Sequence, residues 1–112
     1  MNVNKDNVLE LIKEKVTYSV YPLKMGGQFK PDAFNDLLLV AEEATRLFKN
    51  EELVPKKLLS ELHLIAIGID LENDFHKNKD LDLISKKIMR CFNLILAGKS
   101  VDDKVPSGPR II

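Results

Sequence analysis

The stretch PDAFNDLLLVAEEATRLF, residues 31–48, decides the fold class of this chain. Its apolar residues recur at spacings of three and four, which places them on one face of an α-helix. Pro31 suits the first helical position, where its missing N–H is not needed, and Asp32 complements the positive end of the helix dipole. The residues expected on the buried face are Phe34, Leu37, Leu38, Ala41, Ala44 and Phe48, and Leu39, Val40 and Leu47 are expected to widen it.

The same signals predict a third helix over residues 55–74. Pro55 again suits a helix start, and the apolar residues after it repeat at helical spacing. Gly68 lies inside this helix at a cost of about 1 kcal/mol relative to alanine, which favours close approach by a neighbouring helix. The residues expected to be buried are Leu58, Leu59, Leu62, Ile65, Ala66 and Ile69.

A fourth helix is predicted to begin at Asp80 or Asp82, either of which can cap it, and to end near Ala97. Gly98 stands where a left-handed residue commonly closes a helix. The residues expected to be buried are Leu81, Ile84, Ile88, Cys91, Phe92 and Ile95.

A first helix is predicted over residues 5–16, and its apolar pattern breaks afterwards. Pro22 and the glycine pair at 26–27 oppose a continuous helix. Residues 17–30 are therefore expected to form a long, apolar loop that packs back on the other helices.

These elements predict an all-α fold, an antiparallel four-helix bundle with a long first loop and an extended C-terminal tail. We expect one domain of residues 1–112, in which residues 5–97 form the bundle and residues 98–112 the tail. Two isoleucines end the sequence, and we expect them to dock on the bundle or on a partner.

Composition narrows the function classes. Seventeen basic residues balance seventeen acidic ones, which argues against nucleic acid as the main partner. The longest apolar run, residues 64–69, is far too short to cross a bilayer, so we expect no membrane partner. The polar start, residues 1–7, has no signal-peptide pattern, and a single cysteine fits a reduced setting. We therefore expect a cytoplasmic protein.

No motif in the sequence specifies catalysis, a cofactor or a metal, so we expect a protein that is not an enzyme. His76 follows several acidic residues, but a calcium loop would need glycine where Phe75 stands. Cys91 falls on an apolar stripe and is expected in the core. An alternative is a phosphorelay carrier that uses His63, although Ala66 stands where a basic residue would be expected.

Three acidic residues, Asp70, Glu72 and Asp74, lie near the C-terminal end of the third predicted helix. Negative charge there opposes the helix dipole. Because local rules are most often broken at functional sites, these residues are a candidate contact surface for a basic partner. The alternative is that the helix continues through Lys77 and Lys79, whose positive charges compensate the acidic residues.

The apolar segment at 17–30 supplies a second candidate contact surface with Tyr18, Tyr21 and Met25. Tyrosine and methionine are enriched at the centres of protein interfaces. These residues are therefore expected to contact a protein partner, or else to cover the core.

Two stretches, VPKKLLSELH at 54–63 and PSGPRII at 106–112, resemble small helical bacterial immunity proteins of contact-dependent and polymorphic toxin systems. The resemblance implies a protein that binds a cognate toxin domain and neutralises it. Occlusion of a basic active site by the acidic residues would be the mechanism. A helical scaffold or oligomerisation module, including a homodimer, is the remaining alternative.

Overall fold

The computed structural model describes residues 2–103, and in this range it contains four α-helices and no strand. They are α1 (Val8–Lys24), α2 (Pro31–Leu47), α3 (Lys56–His76) and α4 (Lys79–Leu96). The prediction of an all-α four-helix bundle is confirmed.

The helices pack in a ring in which α1 and α4 are each flanked by α2 and α3. An ion pair between Lys5 and Glu51 joins the start of α1 to the end of α2, so these two helices run antiparallel. The Asn50 N–H donates to the Gly98 carbonyl at 3.0 Å, which brings the ends of α2 and α4 together. Neighbours are therefore antiparallel within each helical hairpin, whereas α2 and α4 run parallel.

Apolar side chains from all four helices fill the centre of the ring. The predicted buried faces are confirmed, with two kinds of exception. Leu38, Leu47, Leu59 and Phe92 are half-buried and pack against the core from its edge. The prediction for Leu39 is wrong, because its side chain points outward and is 62% exposed. The largest fully buried side chains include Phe34, Ile12, Leu23, Leu37, Leu58, Leu62, Ile69, Leu81, Ile88 and Ile95.

The prediction that residues 17–30 form a long loop is wrong, because α1 continues through Pro22. Val20 and Leu23 extend the buried face of α1 into this segment. The free energy gained by burying these two side chains outweighs the cost of the hydrogen bond that Pro22 removes. The helix ends only before Gly26, whose φ of 84° reverses the chain.

The predicted cap of α4 is also wrong in its position. Asn78, and neither Asp80 nor Asp82, is the N-cap: its Oδ1 accepts the N–H groups of Asp80 at 2.7 Å and Leu81 at 3.2 Å. Asparagine in the extended conformation places its amide oxygen where these free N–H groups point. The expected left-handed residue after the helix is confirmed at Gly98, with φ of 71°.

Residues 99–103, which we call the C-terminal strap, form a turn against α2 and do not extend away from the bundle. The Arg46 guanidinium donates to both carboxylate oxygens of Asp102, at 2.8 and 3.3 Å. Lys49 donates to Asp103 at 2.8 Å. These hydrogen bonds lower the pKa of both aspartates below the ordinary range. The rest of the expected tail, with its terminal isoleucines, lies outside the described residues.

Candidate partner-binding face

The outward side of α3 is apolar although no described residue covers it. Leu64, Leu71 and Phe75 are 61%, 60% and 85% exposed, and Ile67 is also exposed. Their spacing of three and four puts all four side chains on one face, opposite the buried face of the same helix. We call these four residues the α3 stripe.

The three acidic residues predicted as a contact surface border the α3 stripe on both sides. Asp70 lies with Ile67 and Lys86 at the crevice between α3 and α4, and Asp74 follows one turn later on the same side. Glu72 lies on the opposite side, which faces α1, and is half-buried with its carboxylate 3.8 Å from His76. The structure therefore divides the predicted cluster into an exposed pair and one partly covered residue.

The charge of Asp70 reaches the neighbouring helix. Lys86 of α4 donates to Asp82 at 2.8 Å. This hydrogen bond is the largest cause of a raised pKa for Lys86, and the charge of Asp70 adds to it. The crevice between α3 and α4 thus contains both signs of charge.

The aromatic residues predicted as a contact surface lie on the last turns of α1. Tyr18, Tyr21 and Met25 are 62%, 53% and 86% exposed, and they occupy adjacent turns of one outward side. Because they are exposed, they do not cover the core.

Tyr21 is the residue that connects this side of α1 with α3. It lines a groove between the two helices together with Lys24, Leu64 and Gly68. The Lys24 Nζ lies 3.4 Å from the point where a Cβ on Gly68 would stand, so the glycine makes room for this lysine side chain. The exposed side of the last turns of α1 thus adjoins the middle of α3, from Leu64 to Gly68.

Neither histidine nor the cysteine forms a reactive centre with its neighbours. His63 is half-buried, with its ring centroid 5.2 Å from that of Phe92. Burial raises the pKa of the Cys91 thiol to about 12, so the thiol stays protonated at neutral pH.

Residues 2–103 bring no three potential metal-ligating side chains close enough to hold an ion. In the same range, every helix is too short or too polar to span a membrane.

Comparison of the chain with models of known protein families, with curated proteins and with solved structures finds no match.

The α3 stripe is the main feature that sequence reasoning missed. Its signal was present, because Leu64, Ile67, Leu71 and Phe75 repeat at helical spacing beside the buried set. Two apolar faces on one helix merge into a nearly continuous apolar run, so the second face is recognised only once the first is assigned to the core.

Proposed function

We propose that this chain is a non-catalytic protein-binding protein that neutralises a bacterial toxin by stoichiometric binding. The observation that carries the proposal is the α3 stripe, an apolar surface that none of residues 2–103 covers, flanked by Asp70 and Asp74 and continued by Tyr21 of α1. Contiguous exposed apolar surface with a polar rim is typical of protein interaction sites.

The composition of this face fits a contact with a basic protein. Tyr18, Tyr21 and Met25 belong to the residue types enriched at interface centres. Asp70 and Asp74 stand at the rim, where carboxylates accelerate association with a positively charged surface more than they strengthen the final complex. The expected arrangement therefore has an apolar centre and an acidic edge.

Neutralisation would follow from occlusion. A face that spans two helices is broad enough to cover a cleft, and a toxin with a basic active site would present the complementary charge. The resemblance of residues 54–63 and 106–112 to immunity proteins supports this class of partner. On this proposal the chain needs no reactive group of its own.

The alternative of a phosphorelay carrier has no observation in its favour. A phosphoryl acceptor must present a free imidazole nitrogen to its donor, whereas His63 is half-buried and its ring packs against Phe92.

A tagged pull-down from the native cell, followed by a protection assay with the captured protein, tests the proposal. We expect a captured protein whose expression stops growth, and we expect co-expression of this chain to restore growth. A captured partner without toxicity, or toxicity that persists with the chain present, would contradict neutralisation.

The binding face is tested separately with the double substitution Asp70→Lys and Asp74→Lys. Both positions are exposed, so we expect the fold to survive and toxin affinity to fall about tenfold or more, mainly through slower association. Asp36→Lys with Glu52→Lys is the control, because it reverses two exposed carboxylates that lie away from the C-terminal turns of α3 and outside the first turn of any helix. Equal effects of the two pairs would remove the α3 face from the proposal.

A further inference from the structure

Charge is distributed unevenly along α3. Lys56 and Lys57 stand at its N-terminal end, and Asp70 and Asp74 stand in its C-terminal turns. All four residues are exposed, and Leu64 and Ile67 of the α3 stripe lie between the two groups. The outward side of this helix is therefore basic at one end, apolar in the middle and acidic at the other end.

This order of charge and apolar character is complementary to that of a second α3 helix that runs in the opposite direction. Along α3, the midpoint between Leu64 and Ile67 coincides with the midpoint between Lys57 and Asp74. A two-fold axis through that midpoint sets Leu64 of one copy against Ile67 of the other. It also sets each Lys57 against the opposite Asp74.

The remaining stripe residues fit the same axis. Leu71 then lies opposite Ser60 of the other copy, whose small side chain leaves room for it, and Phe75 lies opposite the aliphatic stem of Lys56. A parallel arrangement would instead place lysines against lysines and aspartates against aspartates, which is unfavourable.

We propose that a second copy of this chain covers the α3 stripe, in a two-fold symmetric dimer with antiparallel α3 helices. A two-fold interface must be self-complementary, and the outward side of α3 is so in both charge and apolar character. A foreign helix would need the same order of charge in reverse to match both ends.

The available area is sufficient for a reversible dimer. The 21 residues of α3 span roughly 31 Å, and α1 and α4 flank it at typical spacings of about 8–10 Å. The face is then roughly 500–620 Å² per copy, below the value of about 800 Å² per partner in a standard interface, which fits a weak, reversible dimer.

The dimer goes beyond the proposed toxin binding and does not depend on it. One consequence does rest on that function: since Leu71 and Asp74 belong to both surfaces, dimerisation and toxin binding would exclude each other.

Sedimentation equilibrium across a wide concentration range, with Lys57→Glu and Asp74→Lys as separate variants, tests the dimer. Each substitution makes both symmetric pairs repulsive, so we expect the dimer dissociation constant to rise about tenfold in each. Both changes improve the match to the helix dipole, so loss of folding cannot explain the effect. Lys87→Glu, an exposed reversal on α4, is the matched control and should leave the constant unchanged.

Mixing the two variants gives the sharper result. In a mixed dimer every Lys57–Asp74 position again joins opposite charges, so we expect an equimolar mixture to dimerise like the wild type. A wild-type chain that is monomeric at every concentration would overturn the proposal. So would a dimer that neither variant weakens, or a mixture in which dimerisation is not restored.

Discussion

Helices α3 and α4 form one hairpin and pack closely on each other, yet their outward sides differ. The exposed residues of α4 are mostly polar, with Lys86, Lys87 and Arg90 along its middle. The outward side of α3 instead exposes two large apolar side chains, Leu71 and Phe75. Burial in the bundle explains most apolar residues of α4, Leu83 and Leu96 excepted, whereas α3 carries a second apolar face that no described residue covers. This second apolar face of α3 is the strongest argument for a contact with another chain.

The largest expected effect is a difference in the free energy of unfolding between substitutions on the buried face and on the exposed face of α3. Ile69 is fully buried and Leu71, two residues later, is 60% exposed. We expect Ile69→Ala to lower the free energy of unfolding by about 2–5 kcal/mol, because it removes buried methyl groups and leaves a cavity. Leu71→Ala should change it by no more than about 0.5 kcal/mol. Chemical denaturation at a concentration where the chain is monomeric measures both.

The same pair also tests whether the α3 stripe is surplus to the bundle. If Leu71→Ala destabilised the monomer as strongly as Ile69→Ala, the stripe would be part of the core and the comparison of α3 with α4 would fail. A matched exposed position on α4 is Leu83, 51% exposed, where alanine should be equally mild.

An intermediate effect is expected at the helix starts, where α4 has a side-chain cap and α3 has none. Asn78→Ala removes the acceptor of the Asp80 and Leu81 N–H groups, so we expect a loss of about 1 kcal/mol in the free energy of unfolding. Asn78→Asp keeps the acceptor and serves as the control. A loss of the same size in both variants would show that the cap hydrogen bonds are not the cause.

The sequence was sufficient for the number and type of helices, because their buried faces repeat at helical spacing. It was insufficient at the end of α1, where Pro22 opposes a helix locally while Val20 and Leu23 stabilise it through burial. That balance depends on the other helices and cannot be evaluated from one segment. The shift of the α4 cap to Asn78 has a similar origin, since three nearby residues were all competent caps.

The candidate face was predictable only in part. Asp70 and Tyr21 were identified from their residue types, but their position on one side of the molecule depends on α1 lying beside α3 in the ring. The separation of Glu72 from Asp70 follows from their spacing of two residues, which is about 200° around a helix, but which of them lies beside α1 and which beside α4 depends on the packing. Sequence spacing gives the angles around one helix, but not which neighbour occupies each angle.

The smallest expected effect concerns the C-terminal strap, which fastens the end of α4 through charge, whereas the α3 stripe is uncharged. Hydrogen bonds from Arg46 and Lys49 hold the pKa values of Asp102 and Asp103 below the ordinary aspartate value of about 3.9. A carboxylate with a lowered pKa in the folded state stabilises the fold above its unfolded pKa. That contribution is lost as the pH falls through the folded value.

We therefore compare the wild type with a double variant, Asp102→Asn and Asp103→Asn, in denaturation experiments across acidic pH. The difference in the free energy of unfolding should be constant above about pH 5 and should shrink below about pH 4, where the wild-type carboxylates become protonated and the two proteins become alike. Leu71→Ala, which changes no charge, should show no such trend. A difference that stayed constant on acidification would mean that the strap is held by contacts other than these ion pairs. The end of α4 would then be fastened, like the rest of the bundle, by packing.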